Sequence, residues 1–154
     1  MNVEKQFSVF MVNKPGILSQ MLSSLAKAKV NIVALTVVDS VEHGVMRIVS
    51  DDSEKLRDVL KRDNVQFNET DVLCVTIPNR SGAFAAITER LASTHINVSY
   101  AYCTAGAKGG KTTAVLKVAD VKKAIKVLTN IAGKTVRPTK PTTRRSPAKK
   151  ALGR

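Results

Sequence analysis

The chain is predicted to be an α+β protein in which one βαββαβ unit occurs twice, followed by a basic tail. Three observations carry this. A shift of 66 positions brings Asn13, Gly16, Leu25, Ala26 and Asn31 onto Asn79, Gly82, Leu91, Ala92 and Asn97. Apolar positions obey the same shift, with Val9 on Val75, Met11 on Ile77, Leu18 on Phe84 and Met21 on Ile87. Beyond a hairpin two residues longer in the second copy, the shift becomes 68, placing Asp52, Lys55, Val59 and Leu60 on Asp120, Lys123, Val127 and Leu128. A single adjustment in a loop marks a tandem duplication. The modules are expected over residues 1–70 and 71–136, with the tail over 137–154.

Each copy opens with a strand, Phe7–Val12 or Val72–Ile77, that runs into a glycine-containing loop. Ile17, Leu18, Met21, Leu22 and Leu25 then follow the spacing of one helical face, matched by Phe84, Ile87 and Leu91. Two β-rich runs come next, "NIVALTVV" and "VMRIVS" in the first copy, "NVSYAYC" and "TAVLKV" in the second. Asp52 and Asp120 precede short amphipathic segments and are expected to be helix N-caps. A last strand near Val65–Phe67 closes the first copy; in the second only the short "KTV" before Arg137 remains. This order is the ferredoxin-like arrangement, here as two modules side by side with antiparallel sheets.

Composition narrows the function classes. Of the 154 residues 44% are hydrophobic and only 4% aromatic, so the core must be aliphatic. Cys74 and Cys103 stand far apart in apolar runs, which predicts buried free thiols and a reducing compartment, with a disulfide between them the minor alternative. The opening "MNVEKQFSVFMVN" has no secretory pattern and no apolar run could span a membrane, so a cytoplasmic protein is expected. The net charge of +13 is uneven: all 12 acidic residues lie at or before Asp120, and residues 137–154 hold seven basic ones and no acid. Rich in Pro, Thr, Ser and Ala, that stretch is expected to be disordered.

The segment Ala105–Thr113, "AGAKGGKTT", fits a relaxed phosphate-loop pattern. Such a loop needs a strand before it and a helix after it, so that backbone N–H groups and the helix N-terminus face the phosphates. Here the following residues align with the Val45–Ser50 strand of the first copy. The glycines are therefore expected at a hairpin tip, with no nucleotide bound.

The loop Asn13-Lys-Pro-Gly-Ile-Leu18, followed past the helix by Asn31-Ile32, resembles the ACT domain family, small regulatory modules that commonly bind amino acids. Asn79-Arg-Ser-Gly-Ala-Phe84 with Asn97-Val98 is the looser second match, having Ser81 where the first has Pro15. The resemblance covers roughly residues 5–136 and extends to stand-alone tandem ACT proteins without a catalytic domain. It implies one site built from Asn13, Lys14, Pro15, Gly16, Ile17 and Leu18, and another from Asn79, Arg80, Ser81, Gly82, Ala83 and Phe84. Each would lie against a neighbouring second strand, with Asn31 and Asn97 facing them. On physical grounds the first-turn N–H groups of either helix suit a carboxylate, and Asn13 and Asn79 serve either as helix caps or as ligand contacts.

No cofactor, metal or catalytic residue is indicated. His43 and His95 occupy non-equivalent positions with no nucleophile or ligand cluster around them. Tyr100 and Tyr102 share one strand face, suited to packing against helices or a second chain, to lining a pocket or to stacking a base. The expected protein is a non-catalytic regulator that binds an amino acid and signals through association, as a homodimer. Two alternatives stand beside it: docking on a biosynthetic enzyme, as the small subunits of acetolactate synthase do, and nucleic-acid association through residues 137–154.

Overall fold

A computed structural model describes residues 1–39, 43–104 and 106–129. In chain order these form β1 (Asn2–Val12), α1 (Ile17–Lys27), β2 (Ile32–Asp39), β3 (His43–Ser50), α2 (Ser53–Arg62), β4 (Phe67–Pro78), α3 (Ala83–Ser93), β5 (Val98–Cys103), β6 (Lys111–Val118) and α4 (Val121–Thr129). The strands make one antiparallel sheet in the order β2-β3-β1-β4-β6-β5.

Both predicted N-caps are present. The Asp52 carboxylate accepts from the Lys55 amide at 3.0 Å and the Asp120 carboxylate from the Lys123 amide at 2.9 Å. Each such cap is worth about 1 kcal/mol. The Lys55 amide is also the main reason the Asp52 carboxyl lies below its usual range.

Two strands are longer than their sequence patterns suggest. β1 starts at Asn2, and β4 joins the strand predicted near Val65–Phe67 to the one predicted at Val72–Ile77, so residues 70 and 71 are consecutive within it. The "KTV" segment lies outside the described residues, as does the tail. The flank of Asp71–Cys74, where a fourth strand of the second module would pair, is occupied by Asn2–Lys5. The shift of 66 carries Lys5 onto Asp71, and the register pairs those two residues with each other. They mark an internal two-fold axis, and their side chains form an ion pair of 2.7 Å.

Along β4, Phe67 packs into the first core and Leu73 into the second. Being an even number of residues apart they share a sheet face, so all four helices lie on one side. There Phe7, Val9, Met46 and Ile48 meet Met21, Leu25, Leu56 and Leu60, while Leu73, Ile77 and Leu116 meet Leu91, Ala124 and Leu128.

The helix-free face curls. β2 and β5 carry irregularities at Val33 and Ser99, which the repeat makes equivalent, and bulges of this kind sharpen the local twist. Ala34, Val49, Val72, Cys74 and Val115 form a third buried cluster here. Tyr100 and Tyr102 reach across it to the first module: the Gln6 amide donates to the Tyr100 oxygen at 2.6 Å, and the Tyr102 hydroxyl donates to Gln6 Oε1 at 3.1 Å. β5 and β1 are three strand spacings apart, about 14 Å in a flat sheet, so only a concave face allows these contacts. The tyrosines therefore pack on the other module rather than on helices. Burial raises the Tyr102 phenol well above its ordinary value.

The cysteines separate, against the expectation that both are buried. Cys74 is buried and Cys103 exposed, and both are free. Cys74 pairs with Val115 on the concave face whereas Cys103 pairs with Ala114 of the helix-side core, so opposite sides of the sheet keep them apart.

Candidate functional site

The two glycine loops are built alike. Gly16 and Gly82 sit at φ +90° and +81°, a left-handed conformation that disfavours side chains, and each immediately precedes a helix. A Cβ on either would meet nothing within 4 Å, so the space above both backbones is open. Neither helix has a side-chain cap, so Asn13 and Asn79 do not serve as caps. In the first turns, Ile17 N–H donates to the Lys14 carbonyl and Gln20 N–H to Gly16; Ala83 N–H donates to Arg80 and Ala86 N–H to Gly82. The amides between them, Leu18 and Ser19 in α1, Phe84 and Ala85 in α3, precede the first i to i−4 bond and are the donors a helix leaves over. An open depression leads from Gly16 along Leu18, Ser19 and Leu22.

The asparagines have diverged. Asn79 Nδ2 donates to the carbonyls of Gly106 and Ala107 at 2.7 and 3.1 Å, and its main chain exchanges hydrogen bonds with Gly109 and Gly110. It latches the loop onto the β5–β6 hairpin. Asn13 and Lys14 are exposed, as are Pro15 and Leu18. The hairpin is the "AGAKGGKTT" segment, and as expected a strand follows it: Thr112 is buried in β6 and donates to the Thr104 carbonyl at 2.5 Å. At least two of its carbonyls turn towards Asn79, where a phosphate loop would present N–H groups.

Placement of the two loops departs from the resemblance. β1 and β4 are antiparallel, so the loops that follow them emerge at opposite ends of the sheet. The second strands β2 and β5 form its two outer edges. Neither loop therefore meets the other module's second strand within the chain. Asn31 and Asn97, both exposed, stand one helix length from the loops of their own modules, about 16 Å for 11 residues.

Family comparison decides what these loops belong to. The sequence model of the ACT domain pair matches residues 1–136. The chain belongs to the ACT domain pair family. This ACT pair is similar to protein BT0572 from Bacteroides thetaiotaomicron, with 30% identity, a TM-score of 0.78, and 84% of this chain and 89% of that one covered. The ligand-free regulatory subunit of aspartate kinase from Thermus thermophilus shares the fold at 12% identity and TM-score 0.60, over 84% of this chain and 91% of its own. Aspartokinase alpha and beta subunits share it at 16% identity and TM-score 0.56, over 86% and 98%. No curated protein sequence matches the ACT pair.

Among the described residues no group of His, Cys, Asp and Glu could hold a metal ion, and no helix is long and apolar enough to cross a membrane. Two residues that the sequence reading passed over shape the concave face: Gln6, fully buried, and Arg47, whose guanidinium lies 4.2 Å from the Tyr100 ring centre. In sequence Gln6 looks like part of a polar opening segment. Its tyrosine partners lie more than 90 residues away, so no local signal announces them.

Proposed function

We propose that this ACT pair is a non-catalytic regulator that binds an amino acid at its glycine loops and signals through association between chains. The leftover first-turn amides beside Gly16 and Gly82 support this reading most directly. The carboxylate of an amino acid would accept from Leu18 and Ser19, or from Phe84 and Ala85, aided by the positive end of the helix dipole. Asn13, Lys14, Pro15 and Ile17 line the first site with Asn31 of another chain; Arg80, Ser81 and Ala83 line the second with Asn97.

Because β2 and β5 are outer edges, the second strand that completes a site comes from another molecule. Ligand binding and dimerisation are thereby the same event, and the ligand shifts the population of associated chains. The β2 edge suits this, since Ile32, Val33, Val37 and Val38 are all exposed apolar residues.

A thermal-shift screen against the twenty amino acids, with ATP as control, tests the reading. At 100 times its dissociation constant a ligand adds about 2.7 kcal/mol, a rise of about 5–10 °C for a chain of this size. The shift should come from one or a few related amino acids and vanish in a folded Gly16→Asp, Gly82→Asp variant. No response to any amino acid would sink the proposal.

A further inference from the structure

We propose that the exposed helix face of the second module, together with the basic chain that leaves it, binds the phosphate backbone of duplex nucleic acid without regard to sequence. The internal repeat supplies a control for this reading, because one scaffold occurs twice with different charge. Residues 1–71 hold nine Lys and Arg against ten Asp and Glu, residues 72–129 eight against two, and residues 130–154 eight against none.

The difference is sharpest on α4. The shift of 68 places Lys122 and Lys126 where α2 has Glu54 and Asp58, all four exposed, so the same stripe is acidic in one module and basic in the other. Lys122 and Lys126 are four residues apart and share a helix face, while Ala124 and Leu128 are buried. The Lys123 ammonium donates to the Thr94 carbonyl at 2.9 Å, tying the start of α4 to the end of α3, where Arg90 is exposed. In the first module Lys5, Lys55, Arg57 and Arg62 are neutralised by ion pairs. Among the described residues none of the eight cations between 72 and 129 has such a partner. Of the two acids there, Asp120 is engaged as the α4 cap, which leaves Glu89.

The basic surface continues beyond the helix. Lys111 pairs with Pro78, and the main chain of Gly109 and Gly110 is bonded to Asn79, so Lys108 and Lys111 stand at the hairpin end of the sheet. α4 follows β6 after Ala119 and Asp120 and packs back over the sheet, with Ala124 and Leu128 in one core with Leu73 and Ile77. Its last turn therefore runs towards the hairpin end. The chain carrying the eight cations of residues 130–154 departs from Thr129 there.

Closely spaced cations without internal partners fit a polymer of phosphates, which releases condensed counterions when they bind. Bases are not what this face reads. The one aromatic residue of α3 and α4, Phe84, packs against the second core, so no ring is offered for stacking. A duplex, whose bases are already stacked and whose phosphates face outward, is the form that matches.

The test is fluorescence anisotropy of labelled DNA and RNA duplexes of mixed sequence, titrated with the full chain at several potassium chloride concentrations. Binding should saturate, and log K should fall with log salt at a slope of about −5 or steeper. Saturable binding to either duplex carries the proposal, and the tighter one names the source of the phosphates. Lys122→Glu with Lys126→Asp, which copies the first module, should weaken binding about ten-fold and make the slope shallower by about two. Lys122→Gln with Lys126→Gln serves if that variant loses its thermal transition. Lys27→Glu with Lys61→Asp makes the same charge change on the first module and should alter affinity by less than about three-fold. Arg144→Gln, Arg145→Gln, Lys149→Gln and Lys150→Gln together should weaken binding while leaving it sensitive to the helix variant. Equal effects of the helix variant and its first-module control, or loss of all binding with the tail substitutions alone, would overturn the proposal. So would tighter binding to polyglutamate or to phosphatidylserine vesicles than to either duplex.

Discussion

On the concave face the first module sets Phe10, Val45 and Val38 side by side across β1, β3 and β2. The repeat places Thr76, Thr113 and Thr104 at the same three positions. Phe10 is 43% and Val38 47% exposed, a contiguous apolar row, while the Thr113 amide donates to the Thr104 hydroxyl at 3.0 Å. Aromatic and β-branched residues serve strand pairing equally well, so duplication left this surface free to diverge without harm to the sheet. The divergence has a consequence for assembly. Were both outer edges sticky, chains could add end to end without limit. With one apolar edge, association through it would close as a two-fold dimer.

The largest effects are expected in the cores, which the two modules build alike. Leu25 and Leu91 are repeat equivalents, 1% and 0% exposed. Leu25→Ala and Leu91→Ala should each cost about 2–5 kcal/mol. Because β1 and β4 pair along eight positions, both variants should unfold in one transition, followed in urea by NMR signals from each half. Separate transitions would show the modules to be independent. A smaller effect is expected at Gln6, whose repeat counterpart is the apolar Val72. Tyr100→Phe with Tyr102→Phe leaves the buried amide with only the long contact to Ser8 Oγ, at 3.5 Å, and should cost about 1–3 kcal/mol. Gln6→Val, which copies the other module, should cost less by the same urea measurement. Smallest in stability is the exposed row itself. Phe10→Thr, Val38→Thr and Val45→Thr together should each stay within about 0.5 kcal/mol, yet reduce the sedimenting mass to that of one chain. The reverse set, Thr76→Phe, Thr104→Val and Thr113→Val, should produce species larger than dimers.

Local rules made much of this fold legible. Helix spacing found α1 and α3, the caps at Asp52 and Asp120 found α2 and α4, and the repeat exposed the hairpin behind the phosphate-loop pattern. Where pairing is long-range, the sequence was silent. Asn2–Lys5 lacks an apolar pattern because its strand character comes from Asp71–Cys74, far along the chain. Curvature was equally hidden, since it depends on matched bulges at Val33 and Ser99, and with it went the Gln6 contacts. The glycine loops were found by their conformational demand. That the second strands lie at the outer edges followed only once the order of all six was known.

The pairing of Lys5 with Asp71 has an evolutionary reading. In a dimer of identical chains, a residue on the symmetry axis faces its own copy, so any charge there opposes itself. Once the two halves are one gene, the twin codons mutate separately and the axis can acquire opposite signs. The pair then favours the paired arrangement of unlike halves over either half matched with itself. A fused ancestor of two like modules would thus have gained, by two substitutions, a preference for its own partner over its neighbours' halves.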